Sequence, residues 1–337
     1  MFKKLCTFLF LVAAVAQARA DAAFLLEEPY GRFGAMNPTG HAAVFLSGVC
    51  ADSPTHLRHC QAGETGIVLS RYHRIAGLDW VAIPLVPYLY AVERKSQIPI
   101  AVDEQRVAQL RDAYRRRHLR ELAPDNPDGS TPGGDWYQLV GSAYDRTLWG
   151  FQIETTPEQD DRLIAWFNSE DNRTRYHLLS NNCADFAGQI MNFYAPHSVR
   201  RNLLADGGIT TPKQVARSLA HYARKHPELE LSVFRIPQVD GSVERSHPTR
   251  GVAESLVKTK KYAIPLLVIS PVFTGGLAVA YLAEGRFNPK RGAGEFDLPH
   301  ATQGTPGHSG GAERISSHAG EADAGALHDT LPLPLIP

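Results

Sequence analysis

The sequence predicts an α+β domain followed by a C-terminal hydrophobic helix and a disordered tail. Three observations lead there. Short strand-like runs alternate with amphipathic helical stretches from about residue 41 to residue 225. One stretch, Tyr262 to Ala283, carries no charge, and from Asn288 onward Gly, Pro, Ser and His dominate without periodicity. At 337 residues, 43% hydrophobic and 21% charged, the chain sits in the globular range, which excludes a wholly disordered or collagen-like protein. Lys+Arg and Asp+Glu both number 35, so no global basic field exists to recruit nucleic acid, and no nucleic-acid partner is expected.

The first twenty residues read as a secretory signal. Lys3 and Lys4 precede an apolar run, Leu5 to Ala16, and Ala18-Arg19-Ala20 supplies small residues for cleavage, with a mature start at Asp21. Export is therefore expected. Cys6 leaves with the signal and is not placed for lipid attachment.

The elements follow in order. Ala42 to Leu46 reads as a buried strand entered through the turn Asn37-Pro-Thr-Gly40, with His41 at its start. Thr65 to Tyr72 and Asp79 to Pro84 are further strands, and Val102 to Leu122 is a helix. Within that helix the basic run Tyr114 to Arg120 reads as a solvated helix end. Residues 125–134 (DNPDGSTPGG) form an exposed loop. Trp136 to Gly141 and Leu148 to Glu154 are strands, and Pro157 to Asn168 is a helix with acidic residues in its first turn. Tyr176 to Leu179 is a short strand-like run. Thr211-Pro212-Lys213-Gln214 is a capping box that opens a helix to about Lys225.

Three cysteines remain after signal cleavage, in a disulfide-permissive compartment. Cys50 and Cys60 flank a short polar loop that suits a local crosslink, which leaves Cys183 unpaired. Its surroundings are Leu178-Leu-Ser-Asn-Asn-Cys183-Ala-Asp-Phe186, after which Ile190 and Phe193 continue at helical spacing, so Cys183 opens a helix capped by Asn182. Free backbone N–H groups and the positive end of the helix dipole lower a thiol pKa, with Asp185 opposing. That is where a nucleophile is useful. A nucleophile also needs a base, and His41 is the candidate.

A Gly40-His41 pair entering the first strand, followed much later by Asn182-Cys183-x-x-Phe186 opening a helix, resembles the circularly permuted papain-like thiol enzymes. These include permuted NlpC-type amidases, the lecithin:retinol acyltransferase group, the PPPDE peptidases and the bacterial Lnb-type lipoprotein N-acyltransferase domain. In the permuted order the histidine strand precedes the cysteine helix, as here, and the resemblance covers about Gly31 to Ala223. It implies an antiparallel sheet packed on helices, with Cys183 as nucleophile, His41 as base, and Asn182 and Phe186 flanking the nucleophile. A third group that orients the imidazole would come from the strand next to the histidine strand, with His73 preferred and Ser70 and Asp79 as alternatives. No cofactor or metal is implied.

The domain organisation expected is then a signal over residues 1–20, the papain-like domain over 21–235, a linker over 236–261, a membrane-spanning helix over 262–283, and a disordered tail over 288–337. The charge-free stretch would be about 33 Å long as one helix, enough to cross a hydrocarbon core. Pro265, Pro271 and Gly275-Gly276 would kink it, and a buried hairpin is the rival reading. Two function classes remain. One is an exported, membrane-anchored cysteine hydrolase or acyltransferase acting on an envelope-linked peptide, lipoprotein or lipid; the other is a catalytically idle papain-like module that binds such material.

Overall fold

The computed structural model describes residues 20–31, 34, 38–73 and 75–298. The signal expected over residues 1–20 therefore lies outside the described residues except for Ala20, and so does the tail beyond residue 298. In chain order the elements begin with β1 (Ala20–Glu27), β2 (His41–Leu46), β3 (Val49–Ser53), β4 (His56–His59), β5 (Ile67–Ser70) and β6 (Val81–Pro84). Helix α1 (Leu85–Tyr90), β7 (Ala101–Val102), α2 (Glu104–His118), α3 (Ser142–Asp145), β8 (Leu148–Thr155) and α4 (Pro157–Ser169) follow. Next come α5 (Cys183–Tyr194), α6 (Leu203–Asp206), α7 (Pro212–Ala223), β9 (Ser232–Ile236), β10 (Asp240–Gly241) and α8 (Val252–Lys258). The described chain closes with α9 (Lys260–Ile269), α10 (Pro271–Ala280) and β11 (Gly294–Glu295). The fold is α+β, as expected.

Seven strands form one sheet in the order β11-β9-β8-β1-β2-β5-β6, antiparallel throughout except for the β11–β9 pair. Strand β1 lies at its centre, and Ala22 to Leu26 are all fully buried because both faces of the sheet are covered. Side chains alternate between the faces. Phe24, Leu26, Ala42, Val44 and Leu46 pack with α4, α5 and α7. Leu25, Ala43, Phe45 and Val68 pack with α1, α2 and α3. Strands β3 and β4 form a hairpin beside the sheet, closed by the Cys50–Cys60 disulfide with Cα atoms 4.7 Å apart.

Several elements depart from the sequence reading. Residues 135–139 form a 3-10 turn rather than a strand, because Trp136 and Leu139 are buried three apart, the period of that turn. Tyr176 to Leu179 is loop: Leu178 and Leu179 are both more than half exposed, so no alternation buries one face, and only an isolated bridge joins His177 to Asn181. Within the basic run, Arg115 is fully buried and bonded to Asp112, Asp125 and the Ala123 carbonyl. The stretch expected to be a linker packs on the domain: Gln238 and Glu254 are buried, and the Ser246 hydroxyl donates to Glu28 at 2.7 Å. Residues at the start of the expected tail also pack, with β11 paired to β9 and Phe296 stacked on Phe234.

The hydrophobic stretch is not one helix. Ser270 leaves helical geometry (φ −150°, ψ 86°) because Pro271 disfavours the helical region for the residue before it, while itself fitting the first position of α10. Among the described residues no helix is long and apolar enough to cross a membrane. Nor is this the buried hairpin of the rival reading, since neither α9 nor α10 has a buried residue.

Candidate functional site

Cys183 occupies the first position of α5, half-buried. The Asn182 side chain accepts from the N–H groups of Ala184 at 2.8 Å and Asp185 at 3.1 Å, and Asp185 returns the contact by accepting from the Asn182 N–H. The amide of Asn182 also donates to the carbonyls of Leu178 and Thr210. Asp185 is further held by Arg201 at 2.9 Å and the Thr210 hydroxyl at 2.5 Å, so its charge is answered locally. The cap consumes two of the free N–H groups at the helix end, those of Ala184 and Asp185.

The loop leading into α5 is clamped from the sheet. Arg71, just past β5 and buried, donates to Asn181 at 2.6 Å and to Asp79 at 2.5 Å, and its guanidinium lies 4.5 Å from the centre of the Phe186 ring. Asp79 also accepts from the Arg175 N–H, and Asn172 accepts from the N–H groups of Asp79 and Trp80. A cleft of about 120 Å³ lies beside this clamp, lined by Arg71, Trp80, Phe167, Arg175 and Phe186 among others.

His41 begins β2. Gly40 before it takes φ +74°, and a Cβ there would stand 2.1 Å from the Glu27 carbonyl, so the turn that delivers His41 requires glycine. Ladder pairing on the β5 side ends at Ala43↔Ser70, while on the β1 side it continues to Glu27↔His41. The backbone N–H of Ala42 is among the groups that lower the Cys183 thiol pKa, which places the sulfur near the start of β2. The imidazole is 8% exposed, stacked on Tyr72 with ring centres 4.2 Å apart, and its Nε2 is buried without a hydrogen-bond partner. Its face of β2 is that of Ala43, whereas α5 packs on the face of Ala42. No hydrogen bond joins the imidazole to the Cys183 thiol.

Electrostatics reverse one sequence expectation. Burial pushes the Cys183 thiol up to about 11, and Glu27 pushes the same way; the N–H groups of Ala42, Ala184 and Cys183 oppose without prevailing. Burial, helped by the Arg146 guanidinium, holds His41 well below 6.5. Thiol and imidazole are thus both neutral at pH 7. A neutral imidazole can accept a proton, and a protonated thiol has to give one up.

The third-group candidates part company. His73, the preferred candidate, is exposed and lies against Tyr176, with ring centres 5.2 Å apart, whereas the His41 ring stacks on Tyr72. The register extended from Ala43↔Ser70 puts Tyr72 opposite His41. Ser70 is fully buried with its hydroxyl unpartnered, and Asp79 is committed to Arg71. The residue that sequence reasoning missed is Glu27, directly across from His41 on β1 and fully buried. Its carboxylate accepts from the Tyr88 hydroxyl and pairs with Arg146 at 3.1 Å. Burial raises its pKa, with Arg146 and Tyr88 pulling it back. The available signal was a pair of carboxylates, Glu27-Glu28, closing an apolar run.

No family model and no curated protein matches the chain. A crystal structure of a type VI secretion system effector, TseH, is similar at 12% identity over 65% of this chain and 98% of that chain, with a TM-score of 0.29, too slight a likeness to bear on fold or function.

Proposed function

We propose that the protein is an exported thiol enzyme of the permuted papain-like type, a hydrolase or acyltransferase that acts on an amide or ester of an envelope-linked peptide, lipoprotein or lipid. The observation that carries this reading is the meeting of the α5 N-terminus with the start of β2, where the Ala42 N–H lowers the Cys183 thiol pKa and the strand opens with a buried, neutral His41. Cys183 Sγ attacks the substrate carbonyl carbon and its proton passes to His41. The N–H groups of Cys183 and Ala42, which approach the sulfur at rest, are the donors for the oxyanion. Collapse breaks the bond to the amine or alcohol, which leaves with the proton from His41. Water or an acceptor amine then attacks the thioester, again losing its proton to His41, and the thiol is restored. Because no hydrogen bond joins thiol and imidazole at rest, bound substrate has to bring the ring off Tyr72 into reach. Glu27, opposite His41, acts as a positioning residue for it.

After exposure of the purified protein to membrane extract, mass spectrometry should find a hydroxylamine-labile acyl adduct on Cys183 that is absent from Cys183→Ala. A second reading, the idle binding module, is favoured by the raised thiol pKa and the unjoined pair. Under it the extract leaves Cys183 unmodified and activated esters are not turned over, while binding to envelope material survives Cys183→Ala.

A further inference from the structure

Helices α9 and α10 are folded back at Ser270–Pro271 into a hairpin whose base is tied by Lys258 Nζ donating to the Tyr281 hydroxyl at 2.7 Å. Each arm has ten residues, about 15 Å, half the thickness of a hydrocarbon core. The side chains that soluble proteins hide are here turned outward. Val268 is 78% exposed, Ile269 80% and Val272 88%, with Ile264, Leu267 and Phe273 each more than half exposed. A Cβ added at Gly275 or Gly276 would meet nothing within 4 Å, so no part of the described chain covers that side of α10.

Two further features identify the occupant. Three polar groups at the tip are satisfied within the hairpin: the Ser270 N–H donates to the Leu266 carbonyl, and the N–H and hydroxyl of Thr274 both donate to the Ser270 carbonyl. Hydrocarbon could not supply these three contacts, so their satisfaction inside the hairpin suits lipid. Charge is confined to the sequence at the base. Lys260 and Lys261 open the first arm and Arg286, Lys290 and Arg291 follow the second, all exposed, Glu284 there is paired with Arg217, and no charged residue lies between Tyr262 and Ala283. Apolar tip and cationic collar together match one leaflet of a bilayer with anionic headgroups.

We propose that the α9–α10 hairpin inserts into a single leaflet of an anionic membrane, anchoring the protein without spanning it. The tip around Ile269–Val272 enters the acyl region and the lysines and arginines at the base meet the headgroups. This inference stands on exposure and charge placement and does not depend on the thiol chemistry.

The test is vesicle flotation of the full chain with phosphatidylglycerol-containing vesicles and with vesicles of phosphatidylcholine alone. Wild type should float with the former at least about tenfold more strongly than with the latter. The double variant Val268→Asp/Val272→Asp should lose at least about tenfold in binding. Lys260→Glu/Lys261→Glu should lose binding selectively on the anionic vesicles. Both alter exposed positions, and unchanged circular dichroism and Cys183 alkylation would separate loss of membrane affinity from loss of fold. In Phe273→Trp, indole fluorescence should be quenched by lipids brominated along the acyl chain. Absence of flotation, flotation unaffected by the aspartates, or a dimer in solution that the aspartates convert to monomer would overturn the proposal; the last result would make the hairpin a self-association surface.

Discussion

A thiol held at about 11 and an imidazole held well below 6.5 do not form a resting thiolate–imidazolium pair. Alkylation of Cys183 by iodoacetamide in the native protein should therefore be slow at neutral pH and climb through about 11, whereas the unfolded chain should titrate near 9.0, with Cys50 and Cys60 unlabelled until reduced. A native profile that levels off at neutral pH would show a thiolate and count against this electrostatic account. If His41 takes the proton from Cys183, Cys183→Ala and His41→Ala should each abolish ester turnover, and the double variant should be no worse than either single. Losses that multiply would show the two residues acting separately. The candidate residues themselves were legible because a cap, a cysteine and a helical period adjoin in sequence, and because a Gly-His turn precedes an apolar run. Their pKa values were not, since desolvation depends on what covers them, and here α5 and β2 cover the sulfur more than the helix end polarises it.

The elements hold the site by reaching across the chain. Arg71, after β5, fixes both Asp79 before β6 and Asn181 before α5, and is buried with Asp79 as an ion pair. Arg71→Ala should cost about 3–5 kcal/mol by leaving a buried carboxylate unpaired. It should also free the loop into α5, which thermal unfolding and a faster Cys183 alkylation rate would report. Equal stability, or an alkylation rate unchanged, would mean the clamp does not set the thiol's access. Strands β5, β6 and β8 and helices α2, α4, α5 and α7 were readable from period and caps, because their patterns are local. Residues 135–139 and Tyr176–Leu179 were not, since a short mixed run suits a strand or a turn equally until burial selects its period. β1 escaped for another reason: its apolar run follows directly on the presumed cleavage site, and its place between β2 and β8 appears only once they pair with it.

At the scale of the molecule, folding buries titratable groups between sheet and helices, and stability should register it. His41 titrates at 6.5 when unfolded and well below that when folded, so its contribution is fully present above pH 6.5 and is lost as the pH falls through the folded value. The melting temperature should fall on acidification below pH 6.5, and His41→Gln should flatten that part of the profile; an unchanged slope would show that the imidazole is not held neutral. The sequence by itself determined the α+β class, the Cys50–Cys60 bridge, the helix opened by Cys183 and the strand entered by His41, because each rests on residues adjacent in the chain. Only the tertiary structure decided that Glu27 faces His41, that Arg71 clamps the cysteine loop, that residues 236–258 pack on the domain, and that the charge-free stretch is a broken, exposed hairpin. The physical reason is that register, burial and the covering of an apolar face are relations between distant segments, and local pattern is silent about which segments meet.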